Sequence, residues 1–173
     1  MRIPLLLVRG RAQRAPSADK PRRTRHLLRF LPSPRFRNPL PHPARVAVLT
    51  QRCSGRNLRI FQSTESLAIG AYRPEILAAP LSMLRELSES VSVSKALVVF
   101  TDRCSSPLTQ ATRDWLWQRF AVPCFEQLLD ASGQVIAEEC QVHDGLHVLR
   151  MDATSGTLTT AECDCGRTEP RLK

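Results

Sequence analysis

Short apolar runs separated by polar loops predict a small α/β fold in the part of the chain that follows residue 44. The segment Arg45–Thr50 (RVAVLT) has an alternating pattern rich in β-branched residues, and Leu58–Gln62 (LRIFQ) repeats that pattern, so each predicts a strand. The run Ala96–Thr101 (ALVVFT) is apolar almost throughout. A continuous apolar run of this length is typical of a strand that is buried on both faces of a sheet.

Helical spacing appears between and after these strands. Pro74 is suited to open a short helix, and Pro80 is placed to open a second one, because proline fits the first helical position. Met83, Leu84 and Leu87 then follow at spacings of three and four residues, which places them on one helix face. This face is predicted to pack in the core.

The centre of the chain predicts a β-α-β unit. The segment Thr109–Phe120 has helical apolar spacing and is followed by Pro123, and Cys124–Leu129 is strand-like. Together with the preceding apolar run, these segments form a unit over about 96–129 whose two strands are parallel and whose crossover is right-handed.

A β-hairpin region is predicted after this unit. The turn Asp130–Gly133 leads into three short extended segments, at Val135–Ala137, Leu146–Met151 and Leu158–Ala161, with a second turn at Ala153–Gly156. The predicted fold class is therefore α/β: a small mixed sheet with one β-α-β unit, followed by hairpins.

Charge divides the chain into two parts. Residues 1–44 contain eleven Lys and Arg, one acid and eight of the thirteen prolines, whereas residues 45–173 are close to neutral. High charge with little burial capacity predicts a disordered basic leader over 1–44 and a single α/β domain over 45–173. The leader could associate with nucleic acid non-specifically through phosphate contacts, although it offers few aromatic residues for base stacking.

Several functions are disfavoured by what the sequence does not contain. No apolar run approaches the ~20 residues of a membrane helix, and the apolar start of the chain is too short for a secretory signal, so we expect a cytoplasmic protein without membrane contact. The glycines are too widely spaced for a phosphate-binding loop, and no nucleophile or paired-carboxylate motif is present. We assign no catalytic or cofactor-contacting residue.

Cysteine and histidine residues cluster near the end of the chain, in the pattern Cys140-x2-His143-x3-His147 and Cys163-x-Cys165. If the second turn forms a simple hairpin, cross-strand pairing brings these two halves together, with His143 opposite Gly166. Cys140, His143, Cys163 and Cys165 would then form the closed Cys3His set of a structural Zn²⁺ site, with His147 as the alternative ligand. From spacing alone, an ordinary buried cysteine beside an exposed thiol pair explains the pattern equally well.

Two sequence blocks resemble a known family. Glu139–Val148 (ECQVHDGLHV) and Cys163–Arg171 (CDCGRTEPR) are similar to the E-C-x4-G-L-H and C-x-C-G-R-T-x-P-R blocks of the phenylacetate-CoA ligase family of adenylate-forming enzymes. The resemblance extends over roughly residues 96–173. It implies an α/β framework and zinc on cysteine and histidine residues of the two blocks, as in some members of that family. Arg167 and Arg171, which follow the ligands, are expected to be solvated surface charges.

The departures from the family are as informative as the match. The chain lacks the family's phosphate loop, its aromatic motif is replaced by Cys124–Gln127, and the ribose-binding segment and C-terminal domain are missing. We therefore predict a non-catalytic, zinc-binding accessory or interaction module with an unidentified protein partner. The alternatives are a reduced or split subunit of a ligase-like acyl-activating enzyme and, less specifically, nucleic-acid association through the leader.

Overall fold

The computed structural model describes residues 36–50, 53–104, 107–151 and 157–173. The predicted disorder of the leader over 1–35 and the turn at Ala153–Gly156 lie outside the described residues. No helix in the described ranges is long and apolar enough to cross a membrane.

Strands and helices alternate through the first two thirds of the described chain, and short strands follow. In chain order the elements are β1 (Val46–Leu49), β2 (Leu58–Phe61), α1 (Ser66–Tyr72), β3 (Ile76–Pro80), α2 (Leu81–Glu86), β4 (Ala96–Asp102), α3 (Gln110–Phe120), β5 (Cys124–Leu129), β6 (Val135–Glu139), β7 (Leu146–Val148), β8 (Leu158–Thr159) and β9 (Arg171–Leu172).

The described strands form one mixed sheet in the order β2-β1-β3-β4-β5-β6-β7-β9-β8. Neighbouring strands are parallel from β2 to β5 and antiparallel from β5 to β8. The predicted α/β class and mixed sheet are confirmed, and β4, α3 and β5 form the predicted β-α-β unit. The change from parallel to antiparallel pairing occurs where the chain stops alternating strands with helices, because short turns can join only antiparallel neighbours.

The prediction of a helix that begins at Pro74 is wrong, because the residues after it form the strand β3. A helix does lie nearby, but it is α1, which precedes Pro74. It is terminated by Arg73, whose φ of 50° is left-handed, and β3 then begins at Ile76. The four residues that follow Glu75 are fully buried between β1 and β4. A short apolar run fits a helix or a strand, and burial between two strands selected the strand here. The helix predicted after Pro80 is confirmed as α2.

The predicted pairing of the last hairpin is also wrong. The strand β9 lies between β7 and β8, with His147 opposite Arg171 and Thr159 opposite Arg171 on the other side. The sequence had suggested that the segments around β7 and β8 pair directly. Local turn signals could not show that a segment twelve residues after β8 would insert between them.

The sheet has two apolar faces. One face packs against Ile69 of α1, Leu84 of α2 and Leu116 of α3, and we call it the helix face. The opposite face carries Val48, Val98, Phe125 and other apolar side chains, and Phe36 and Leu40 pack against it. Residues 36–44, which the charge pattern assigned to the leader, therefore contribute to the folded unit.

Candidate metal centre

Three neighbouring elements bring the cysteine and histidine residues together. Cys140 follows the last residue of β6, His147 is the central residue of β7, and Cys163 and Cys165 lie in the loop that leads from β8 to β9. Because β7 pairs with both β6 and β9, all four residues meet at one end of the antiparallel half of the sheet. One ligand atom from each of them lies within 4.8 Å of all the others.

The contacts within this group are short and mostly buried. The sulfur atoms of Cys140 and Cys163 are 3.7 Å apart, and the Cys165 sulfur lies 3.4 Å from Nε2 of His147. The His147 side chain has no exposed surface, and Cys165 alone is partly exposed. Three thiolates and one imidazole are a set that structural zinc sites use, and their convergence without any other ligand is typical of a closed site.

The surroundings affect the protonation of each ligand. Burial raises the pKa of the Cys140 thiol to about 11. The pKa of Cys163 is lowered, first by the backbone N–H of Cys165. Burial lowers the pKa of His147, and the nearby Arg167 guanidinium lowers it further, which favours the neutral imidazole that binds metals. The protons on the thiols are the ones that a metal must displace.

His143 lies outside this group, whereas the alternative ligand His147 belongs to it. The Nδ1 atom of His143 is 3.0 Å from a carboxylate oxygen of Glu139, and its ring stacks on Phe125 with centroids 5.1 Å apart. The backbone of His143 is in a left-handed turn, with φ of 57°, and donates to the carbonyl oxygen of Cys140. Of the expected set Cys140, His143, Cys163 and Cys165, the structure brings the three cysteines together with the alternative ligand His147 and places His143 beside Glu139 and Phe125.

Strand alternation is the signal that could have selected His147. It lies between Leu146 and Val148 in an extended run, and its partners in the neighbouring strands are Glu138 and Arg171. Its side chain therefore has a fixed direction, whereas a residue in the turn after Cys140 can point either way. Spacing from Cys140 favoured His143, whereas this alternation favours His147.

Arg171 holds the ligand-bearing segments together, although the sequence predicted a surface charge. Its side chain is 3% exposed, and its guanidinium donates to the carbonyl oxygens of Asp144 at 2.8 Å, Ala161 at 3.1 Å and Glu162 at 3.3 Å. It also forms an ion pair with the Asp144 carboxylate. These contacts join the loop before β7 to the loop before Cys163.

Arg167 is likewise paired rather than free in solvent. Its guanidinium binds Glu138 at 2.8 Å and Glu169 at 3.3 Å. Arg37, from the segment before β1, binds the other carboxylate oxygen of Glu138 at 2.7 Å. The residues just beyond the C-x-C pair thus connect the candidate metal centre to both β6 and the start of the described chain.

A second polar cluster lies on the helix face and borders a cavity of about 520 Å³. The guanidinium of Arg113 lies 3.1 Å from Glu139 and 3.6 Å from Glu126. Glu126 also accepts from Thr101 and from the backbone of Leu108. The two carboxylates and the arginine are partnered by one another and by neighbouring groups, which is the arrangement of a buried structural network.

The fold and the site define an α/β protein with a Cys3His group that could bind a metal ion. No protein-family model matches the chain, and no curated protein matches it. The resemblance to the phenylacetate-CoA ligase family, expected from two sequence blocks, stays a prediction.

Proposed function

We propose that this chain is a non-catalytic zinc-binding module, with Zn²⁺ held by Cys140, His147, Cys163 and Cys165. The observation that supports the proposal is the convergence of these four ligand atoms within 4.8 Å. Three cysteines and one histidine complete the tetrahedral coordination that zinc prefers. A complete protein ligand set leaves no position for water or substrate, so the role of the site is structural.

Bound zinc would supply a cross-link between segments that have few other contacts. The strands β7 and β9 share only two register pairs, and β8 and β9 share two. Cys140 would anchor the end of β6, His147 the centre of β7, and the C-x-C pair the loop that precedes β9. Strands this short are marginal on their own, so a metal cross-link there contributes directly to folding.

We further propose that the chain is related to part of the adenylate-forming fold. This relation is supported by the blocks Glu139–Val148 and Cys163–Arg171, which contain all four ligands. The absence of a phosphate loop from the sequence favours an accessory or interaction role with a protein partner over acyl activation. Nucleic-acid association through the leader stays a prediction, and its test is deletion of residues 1–35, which spares the segment that packs on the sheet.

The test measures metal content by elemental analysis on full-length protein purified without added metal. We expect about one zinc ion per chain. Cys140→Ser, Cys165→Ser and His147→Ala should each lose the metal and lower the melting temperature.

Two matched variants serve as controls. His143→Ala and Cys104→Ser remove the same residue types outside the group and should retain the metal. Metal-free wild-type protein, or zinc that persists in His147→Ala and disappears in His143→Ala, would overturn the proposed site.

A further inference from the structure

In the described part of the chain, one buried ring nitrogen of His147 has no group placed for a normal hydrogen bond. The Nε2 atom of His147 faces the Cys165 sulfur at 3.4 Å, whereas Nδ1 is buried and has no partner of normal hydrogen-bond geometry among the described residues. Burial lowers the pKa of His147, and the backbone of Glu169, which lies close to the ring, opposes this larger effect by raising the pKa. A buried, unsatisfied N–H costs free energy. A histidine that binds metal through one nitrogen normally donates the N–H of the other to a carboxylate, a carbonyl or water.

Among the described residues, Glu169 is the acidic residue whose carboxylate lies within ion-pair distance of that nitrogen. Its Oε2 atom is 4.0 Å from His147 Nδ1. Two contacts from Arg167, at 3.3 Å and 3.4 Å, hold the Glu169 carboxylate in this direction. Arg167 itself follows Cys165 by two residues and is fixed on Glu138 at 2.8 Å.

We propose that Glu169 is a positioning residue for the metal centre: its carboxylate accepts the Nδ1–H of His147 and so leaves the Nε2 lone pair directed at the metal. The inference rests on the proposed function. It requires the two atoms to approach by about 1 Å, to the distance of a charge-assisted hydrogen bond. No bond breaks, because the hydrogen bond selects one tautomer of the neutral imidazole.

Arg167 completes this chain of contacts. It links Glu169 to Glu138, and Glu138 is the cross-strand partner of His147 in β6. The Arg167 guanidinium therefore lies on the same face of the sheet as the His147 side chain, and from there it restrains the Glu169 carboxylate.

The experiment is a competition titration of full-length protein with Zn²⁺ and a chromophoric chelator. Glu169→Ala should weaken zinc affinity by about 10- to 100-fold, while the stoichiometry stays at about one per chain. Glu169→Gln should lose less, because the amide oxygen still accepts a hydrogen bond.

Glu162→Gln is the matched control. It removes an equal charge next to Cys163 from an exposed residue, and it should change the affinity by less than about threefold. A loss in Glu162→Gln equal to the loss in Glu169→Ala would show that charge alone matters, and would overturn the assignment to Glu169.

A second readout separates positioning from general stability. In ¹⁵N NMR spectra of the zinc-loaded wild type, His147 should show a metal-bound Nε2 and a slowly exchanging Nδ1–H, and this proton signal should broaden in Glu169→Ala. Zinc binding of wild-type strength in Glu169→Ala, with the Nδ1–H signal retained, would overturn the inference and leave the zinc site intact. A wild-type protein that binds no zinc would overturn both, and the stoichiometry distinguishes this outcome from the first.

Discussion

Glu138 and Glu139 are adjacent in β6, yet their buried carboxylates lie on opposite faces of the sheet and bind different arginines. Glu138 is held by Arg37 and Arg167 on the face that His147 shares, and Glu139 is held by Arg113 on the helix face. Alternation along a strand produces this division. One dipeptide thus connects the surroundings of the candidate metal centre to the buried ionic network under α3.

Loss of Arg113 should destabilise the fold strongly. Arg113→Ala leaves Glu126 and Glu139 buried without their shared cation, and removing one partner from a buried ionic network costs about 3 kcal/mol. Urea unfolding measures this change. The control is Arg150→Ala, which removes a half-exposed partner of Asp130 and should cost less than about 1 kcal/mol. Equal effects of the two substitutions would contradict the buried-network interpretation.

Stability should depend on pH through Glu126. Burial raises the pKa of Glu126 above its usual 4.5, so the folded state holds this proton more tightly than the unfolded state does. The contribution of Glu126 to stability is therefore present at low pH and is lost as pH rises from 4.5 through the folded-state pKa. Glu126→Gln cannot ionise, so the variant does not lose this stability as pH rises. Its unfolding free energy relative to wild type should increase between about pH 4 and pH 7.

The pH dependence of stability through Glu75 should have the opposite sign. The hydrogen bond from Lys95 lowers the pKa of Glu75, so its contribution to stability is present above 4.5 and is lost as pH falls through the folded-state value. Glu75→Gln should therefore lose stability relative to wild type as pH rises. If the two variants changed in the same direction with pH, the assignment of these shifts would be wrong.

Gly145 should be intolerant of any side chain. Its φ of 85° is left-handed, and a β-carbon there would overlap the Leu172 carbonyl oxygen in β9. Gly145→Ala should separate β7 from β9, reduce stability by on the order of 3 kcal/mol and weaken zinc binding. Gly166 has a similar φ of 79° but open space around it, so Gly166→Ala should show only the backbone strain, about 1–2 kcal/mol. Thermal unfolding and zinc titration of both variants measure the difference.

Removal of the metal should loosen the antiparallel end of the sheet before the parallel half. In hydrogen exchange with and without a chelator, amides of β7 and β9 should exchange faster in the metal-free protein, while those of β4 stay protected. The reason is that β4 pairs with β3 and β5 over long registers, whereas β7 and β9 share two pairs. Uniform loss of protection would mean that the metal stabilises the whole domain as one unit.

Most of the parallel half of the fold could be predicted from local pattern. The short strand-like runs at β1 and β2, the apolar run of β4 and the helical spacing of α3 each contain a local signal, and the structure confirms the three strands and the helix. The helix expected after Pro74 failed because β3 is short and apolar, so its state depends on β1 and β4 beside it.

The sequence indicated which residues cluster at the candidate site, but not which histidine faces the cysteines. The clustering of Cys140, Cys163 and Cys165 with a histidine is visible in the sequence. The choice of His147 over His143 depends on which face β7 presents, and that is set by its pairing with β6 and β9. The buried roles of Arg167 and Arg171 gave no local signal, because a charged side chain in a loop is usually solvated.

The sequence by itself determined the α/β class, the β-α-β unit and the cysteine-rich end, since each depends on the periodicity or chemistry of neighbouring residues. Only the tertiary structure decided that β9 inserts between β7 and β8, that His147 faces the three thiols, and which arginines bind Glu138 and Glu139. Those features arise from contacts between residues that are distant in the chain. Their selection depends on strand pairing and burial, which no local pattern encodes.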